Sequence, residues 1–246
     1  MHAIRYLLAL LAGTLWYGSK VIIASWLRRP HEGSGGVYQR AGRDWARMLL
    51  NAAGVRVAVT GTEHLSLREA QIIVANHQSW FDILALFYVL PVEIRFVAKK
   101  ELFAIPFFGS TLRALGHIRL DRTNLKQAIG AYERASRYIR EERLSVLVFA
   151  EGTRSRTGEL QPFKSGPFVL AIESGAPVVP VYVGGTFGIL PKGSIRVRPH
   201  PVEVLVGETI ASTGLTTDDR GALRDRTRDA VAKLRAASVD APRAPE

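Results

Sequence analysis

The sequence contains no cysteine. That excludes disulfides, thiolate metal ligands and a cysteine nucleophile, so covalent chemistry would have to use another side chain. The absence fits a reducing compartment and equally fits export, because many exported proteins also lack disulfides. Acidic residues are scarce as well: 22 stand against 33 lysines and arginines, for a formal charge of +11. Such a balance points to an anionic partner, whether nucleic acid, an anionic leaflet or a phosphorylated substrate. Solvated surface charge is the plain alternative. No helix-turn-helix, zinc-finger or RNP-like pattern accompanies the charge, so no nucleic-acid partner is expected.

A long uninterrupted apolar run is also missing. The uncharged segment Tyr6 to Ser19 falls short of the roughly 20 residues that a bilayer-crossing helix needs. A single helix from Ile4 to Leu27 would be long enough if Lys20 snorkelled to the interface. Trp16, Tyr17 and Trp26 suit an interfacial position, and Arg28, Arg29, Arg40, Arg43 and Arg47 follow closely. By the bias of positive charge, the downstream chain faces the cytoplasm at the cytoplasmic membrane. The alternative is an apolar helix packed on its own domain. A cleaved leader is not expected, because no clean small-x-small site precedes the charged, helix-like stretch that follows.

What is present reads as one domain with a full core. Residues 1–52 form an apolar, membrane-associating helical region, 53–237 a catalytic domain, and 238–246 a frayed tail. After a helical stretch from Gly36 to Asn51, Val- and Ile-rich segments suggest strands at Val55–Gly61, Gln71–Ala75, Ile94–Ala98, His117–Leu120, Ser145–Phe149, Val178–Val183, Ile195–Arg198 and Val202–Val206. Helices fit Ser79–Leu90, Asn124–Glu142, Gly166–Ser174 and Thr216–Ala237. The alternation predicts an α/β fold, a central mixed sheet flanked by helices. Pro180 should demote its strand to an edge or mark a bulge, or else shape a wall of the site.

The segment Asn76-His-Gln-Ser-Trp-Phe-Asp82 follows a compact apolar strand. Ser79 with Asp82 three residues later is a helix-start signature. His77 then lies in the strand-to-helix turn and Asp82 in the first helical turn, where free N–H groups favour a carboxylate. Bent back, that carboxylate would accept from one imidazole nitrogen and leave the other as a base. This is the orienting pair of a Ser-His-Asp triad without its serine. If the acyl acceptor is an alcohol, its own hydroxyl occupies the nucleophile's place. Taken alone, helix capping by Ser79 and Asp82 explains the same residues.

Basic segments follow. Lys99-Lys-Glu precedes a Pro- and Gly-punctuated apolar stretch, Gly116-His-Ile-Arg-Leu-Asp-Arg122 comes next, and Phe149-Ala-Glu-Gly-Thr-Arg-Ser-Arg156 ends a strand on a glycine turn. Backbone N–H groups, Thr153 and the forked guanidinium of Arg154 suit phosphate oxygens. Phe163-Lys-Ser-Gly166 adds Lys164 and a turn at a helix start. His117, inside an apparent strand without a partner in view, reads as structural.

The order of these blocks, closing with Val178-Val-Pro-Val181, resembles the glycerolipid acyltransferase family over roughly Gln71 to Tyr182. The resemblance implies that His77 deprotonates a glycerol hydroxyl and Asp82 orients it. It further implies that Lys99, Arg122 and Arg154 hold the acceptor's phosphate, with Glu151, Gly152 and Thr153 shaping the turn and Lys164 and Gly166 alongside. The implied reaction moves a fatty acyl group from acyl-CoA or acyl carrier protein to the sn-2 hydroxyl of 1-acylglycerol-3-phosphate, giving phosphatidic acid. Neither metal nor prosthetic group is needed, because a thioester is already activated. The implied partners are membrane lipids, a lysophospholipid acceptor and the acyl carrier. Where the family's second block ends in Phe-Ile-Asp-Arg, this chain places Arg119 in the strand. That leaves open another lysolipid acceptor, such as lyso-ornithine lipid. A catalytically silent protein that binds anionic lipid through its basic face is the alternative from another class.

Overall fold

The computed structural model of the chain describes residues 2–31, 35–120, 135–136, 139–140 and 144–238. The helix expected over Asn124–Glu142 falls largely outside the described residues, as does most of the C-terminal tail. Seven strands form one sheet: β1 (Val57–Thr60), β2 (Ile72–Ala75), β3 (Ile94–Lys99), β4 (Ile118–Leu120), β5 (Ser145–Phe149), β6 (Val178–Gly184) and β7 (Val202–Val206). Their order is β1-β7-β6-β2-β5-β3-β4. Strands β6, β2, β5, β3 and β4 run parallel, β7 is antiparallel to β6, and β1 is parallel to β7. The sheet is therefore mixed, as the strand pattern implied. The carboxyl ends of its parallel strands share one edge with the loop that leads into β7, the usual location of a ligand crevice in such sheets.

Strand β2 is buried throughout because both faces of the sheet are covered. Ile73 and Ala75 join the core beneath α2 (Val37–Ala52) and α3 (Phe81–Val89). Ile72 and Val74 face the opposite core, with Phe168 and Leu170 of α5 (Gly166–Ser174) and Leu223 and Val231 of α7 (Arg220–Ala237). Helix α4 (Phe108–Ala114) lies between β3 and β4 in the chain, and the short α6 (Thr186–Ile189) follows β6.

Helix α1 (His2–Trp26) is continuous, and its Ile4–Trp26 stretch is long and apolar enough to cross a membrane, making it a candidate membrane segment. One side packs inward, with Val21 and Ala24 against Tyr38, Ala41 and Leu115, and the Tyr6 ring stacked on Phe81. Leu7, Leu8, Leu11, Leu15, Trp16 and Ile23 remain exposed. The alternative of a helix wholly packed on its own domain thus describes only one face. Lys20 lies over the rings of Trp16 and Tyr17.

Other expectations are refined. Ile195–Arg198 is not a strand: both edges of β7 are already taken, by β1 and β6, and Ile195 is 92% exposed. The Arg196 amide bonds locally to Ser194 Oγ at 3.1 Å, and the Arg198 amide is anchored to the Ile189 carbonyl. Pro180 sits in a central strand but at a bulge, since residues 179–180 lie opposite 207–209 between the pairs Val181–Val206 and Val178–Ile210. The extra residue removes the need for a proline N–H in the ladder. His117 is buried and its Nδ1 accepts from the Phe96 amide at 3.2 Å. Burial, aided by the Arg95 charge, lowers its pKa to about 3, so it is a neutral structural histidine. Thr216 and Asp219 cap the last helical region reciprocally.

Candidate active site

At the carboxyl end of β2 the chain turns sharply into α3. Asn76 fixes the turn, its Nδ2 donating to the Val183 carbonyl at 3.0 Å and its Oδ1 accepting the Val183 amide at 2.7 Å. Gln78 Nε2 adds a bond of 2.8 Å to the same carbonyl. His77 is thereby held at the end of β6 as well as β2.

Asp82 is 0% exposed and its carboxylate is surrounded by donors. Oδ2 accepts from His77 Nδ1 at 2.7 Å, the Gln78 amide at 2.7 Å and the Ser79 amide at 2.9 Å, and Oδ1 accepts from Thr186 Oγ1. With Nδ1–H committed to Asp82, the imidazole presents Nε2 as the lone-pair nitrogen. Its ring stacks on Phe149, with centroids 3.9 Å apart and planes 12° apart. The His77 side chain retains 15% exposure against none for Asp82, a partly accessible imidazole on a buried support.

Capping and orienting are not competing explanations, because the same Oδ2 closes the helix start on Ser79 N and holds the imidazole. Ser79 departs from the expected box. Its Oγ donates to the Leu190 carbonyl at 2.8 Å and only weakly accepts from Phe81 N at 3.3 Å.

The turn after β5 lies directly beside this pair. Ser155 N donates to the His77 carbonyl at 2.8 Å, while Glu151 Oε1 accepts the His77 amide at 3.2 Å and Oε2 accepts Gln161 Nε2 at 2.8 Å. Glu151 is 3% exposed, so its buried carboxyl braces the turn. Burial raises its pKa to about 7, with the nearby Asp82 charge adding to the rise and the bonds from His77 and Gln161 opposing it. Gly152 has φ +75°, a backbone conformation that favours glycine. A Cβ there would stand 3.5 Å from Lys164 Cγ, so the lysine stem lies across the turn. Thr153 Oγ1 accepts from Lys192 Nζ at 2.8 Å, and the Arg154 guanidinium lies 5.1 Å from the Trp80 ring centroid.

The structure thus brings His77, Asp82, Glu151, Gly152, Thr153, Arg154 and Lys164 together. Gly166 opens α5 two residues after Lys164. Lys99 ends β3 on the same edge of the sheet, two strands from β2, and pairs with Glu101 at 3.7 Å. Arg122 lies outside the described residues. Among the described residues no three His, Asp or Glu side chains come together in a way that would hold a metal ion. Sequence reasoning passed over Phe149 as a stacking surface, Gln161, Thr186 and Lys192. The Thr186–Asp82 bond spans 104 residues, so no local spacing announces it.

An imidazole held by a buried carboxylate, partly exposed and bordered by a cationic turn, has the parts needed to take a proton from a hydroxyl on an anionic substrate. Residues 56–184, more than half of the 246-residue chain, match the sequence profile of the Acyltransferase family. The chain belongs to this acyltransferase family. It is 39% identical over 165 residues to the 1-acyl-sn-glycerol-3-phosphate acyltransferase of Limnanthes douglasii, covering 67% of this chain and 58% of that one. The human 1-acyl-sn-glycerol-3-phosphate acyltransferase alpha is 34% identical over 175 residues, covering 71% of this chain and 62% of that one. The chain therefore spans about three fifths of the length of these curated relatives. The crystal structure of the 1-acyl-sn-glycerophosphate (LPA) acyltransferase PlsC from Thermotoga maritima superposes with a TM-score of 0.76 at 27% identity, covering 96% of this chain and 98% of that one.

Proposed function

We propose that the protein transfers a fatty acyl group from acyl-CoA or acyl carrier protein to the sn-2 hydroxyl of 1-acylglycerol-3-phosphate, giving phosphatidic acid. The observation that carries this reading is the His77 Nδ1 to Asp82 Oδ2 contact of 2.7 Å, with the other imidazole nitrogen left for substrate. In the proposed step the acceptor hydroxyl gives its proton to His77 Nε2 as its oxygen bonds to the thioester carbonyl carbon. The C–S bond then breaks, and the departing thiolate recovers the proton from His77. Asp82 holds the ring and stabilises the imidazolium that forms between the two transfers. No enzyme nucleophile is required, because the acceptor supplies the attacking oxygen.

Arg154 and Lys164 border the His77 turn and fit a phosphate on the acceptor, the arginine bidentately. Lys99 and Arg122 are assigned to the same phosphate by their motif positions. The exposed apolar side of α1 supports work at a bilayer surface, and the basic residues after it support a cytoplasmic orientation at the cytoplasmic membrane. An acyl carrier protein, being acidic, would also suit the net charge of +11.

The test is purified full-length protein in mixed micelles, with labelled oleoyl-CoA or oleoyl carrier protein and a panel of acceptors. The panel contains 1-acylglycerol-3-phosphate, lyso-ornithine lipid, lysophosphatidylcholine and glycerol 3-phosphate. Labelled phosphatidic acid as the main product supports the reading. Preference for another acceptor would reassign the substrate. Lipid binding without turnover of any acceptor would replace the enzyme by a silent lipid-binding protein.

A further inference from the structure

The loop from α6 to β7 carries a cation that no motif announced. Ser79 Oγ anchors the start of this loop through the Leu190 carbonyl at 2.8 Å, and the Ile189 carbonyl takes the Arg198 amide at 3.0 Å. Between these anchors, Pro191 to Ser194 closes a turn through a Ser194 N to Pro191 O bond of 3.0 Å, with Gly193 at φ +92°. A turn with positive φ at its third position sets the second residue, Lys192, on the outer corner. From there Nζ donates to Thr153 Oγ1 at 2.8 Å and reaches the Arg154 carbonyl at 3.4 Å.

Lys192 therefore shares the Gly152 turn with Arg154 and with the Lys164 stem. Among the described residues, no carboxylate forms an ion pair with any of these three cations. Glu151, the acid within the turn, spends both oxygens on His77 N and Gln161. Pinning a loop to a threonine hydroxyl needs only a neutral donor. An ammonium with two neutral oxygen partners keeps a third N–H and its full charge, and neighbouring like charges favour an anion between them.

We propose that Lys192 is a phosphate-binding residue, completing with Arg154 and Lys164 a three-cation site on the rim of the His77 crevice. Its ligand is a phosphate group, and the acceptor's phosphomonoester is the source the acyl-transfer reading predicts. The inference rests on that reading for its source, while its chemistry rests on the loop geometry. Ser79 then links the two halves of the site: its amide holds Asp82, and its hydroxyl holds the loop that presents Lys192.

Lys192→Ala and Lys192→Arg in the full-length protein test the assignment. In steady-state turnover, Lys192→Ala should raise the acceptor KM about tenfold, the size of one lost charge-assisted bond, and lower kcat by less than about threefold. Lys192→Arg should recover most of that loss. A rise confined to the KM of the acyl donor would keep the phosphate site and assign it to the carrier's phosphates. Unchanged KM values for both substrates would overturn the proposal, as would an equal defect in Lys192→Arg, which keeps the charge. If wild type turns over no acceptor, the acyl-transfer reading fails independently. Glycerol 3-phosphate titration followed by 31P NMR then decides, with weaker binding in Lys192→Ala supporting the site and equal binding overturning it.

Discussion

Replacing Asp82 by asparagine removes a charge while nearly preserving shape. The amide oxygen can still accept from the Gln78 and Ser79 amides, now 2.7 and 2.9 Å from Oδ2, and the amide nitrogen can meet Thr186 if its hydroxyl turns to accept. What is lost is the negative charge facing His77 at 2.7 Å. When His77 takes a proton, the two charge centres stand on the order of 4 Å apart, worth about 4 kcal/mol at the effective dielectric of partly buried sites. At about 1.4 kcal/mol per tenfold, kcat for Asp82→Asn should fall roughly 10³-fold. Stability should fall by about 1–3 kcal/mol, because charge-assisted bonds become neutral ones. The assay is kcat at saturating acceptor, paired with urea unfolding to establish that the variant is folded under assay conditions. A folded Asp82→Asn enzyme within about fivefold of wild-type kcat would refute the orienting role, since general acid–base catalysis is worth at least about 10².

Two further perturbations separate support from recognition. The pKa of Glu151 is raised from 4.5 to about 7 by burial, so between those values the folded state holds a proton that the unfolded state has released. Folding stability should therefore decline as pH rises from about 5 to 7.5, by about 1.4 kcal/mol per pH unit at most, and Glu151→Gln should lack this component. Denaturant unfolding of both proteins across that range checks it, and parallel pH profiles would contradict the burial argument. Arg154→Ala should raise the acceptor KM about tenfold through loss of charge-assisted phosphate bonds, with little change in donor KM. Steady-state titration of each substrate decides, and an unchanged acceptor dependence would remove Arg154 from the phosphate site.

Much of the sheet was legible because buried parallel strands must be apolar on both faces, and Ile72–Ala75 and Ser145–Phe149 announce that composition directly. The same cue misread Ile195–Arg198, since a β-branched stretch does not reveal that both edges of β7 are occupied. His77 and Asp82 were legible together because only five positions separate them. The supports of that turn were not. Asn76 bonds Val183 and Thr186 bonds Asp82 across more than a hundred residues, so they appear only once β2 and β6 are paired. Glu151 shows a subtler limit: its motif position places it in the cationic turn, but only burial and the bonds to His77 N and Gln161 show that it faces inward. Lys192 escaped notice because a lone Pro-Lys-Gly has no periodicity, and its meaning comes from Thr153, 39 residues away.

In the proposed reaction His77 is the base that activates the acceptor hydroxyl. The deciding measurement is turnover of labelled oleoyl-CoA with 1-acylglycerol-3-phosphate, compared between wild type and His77→Ala at matched folded concentration. His77→Ala should make phosphatidic acid at least about 10²-fold more slowly, with glycerol 3-phosphate binding retained. Equal product from the two proteins would contradict it.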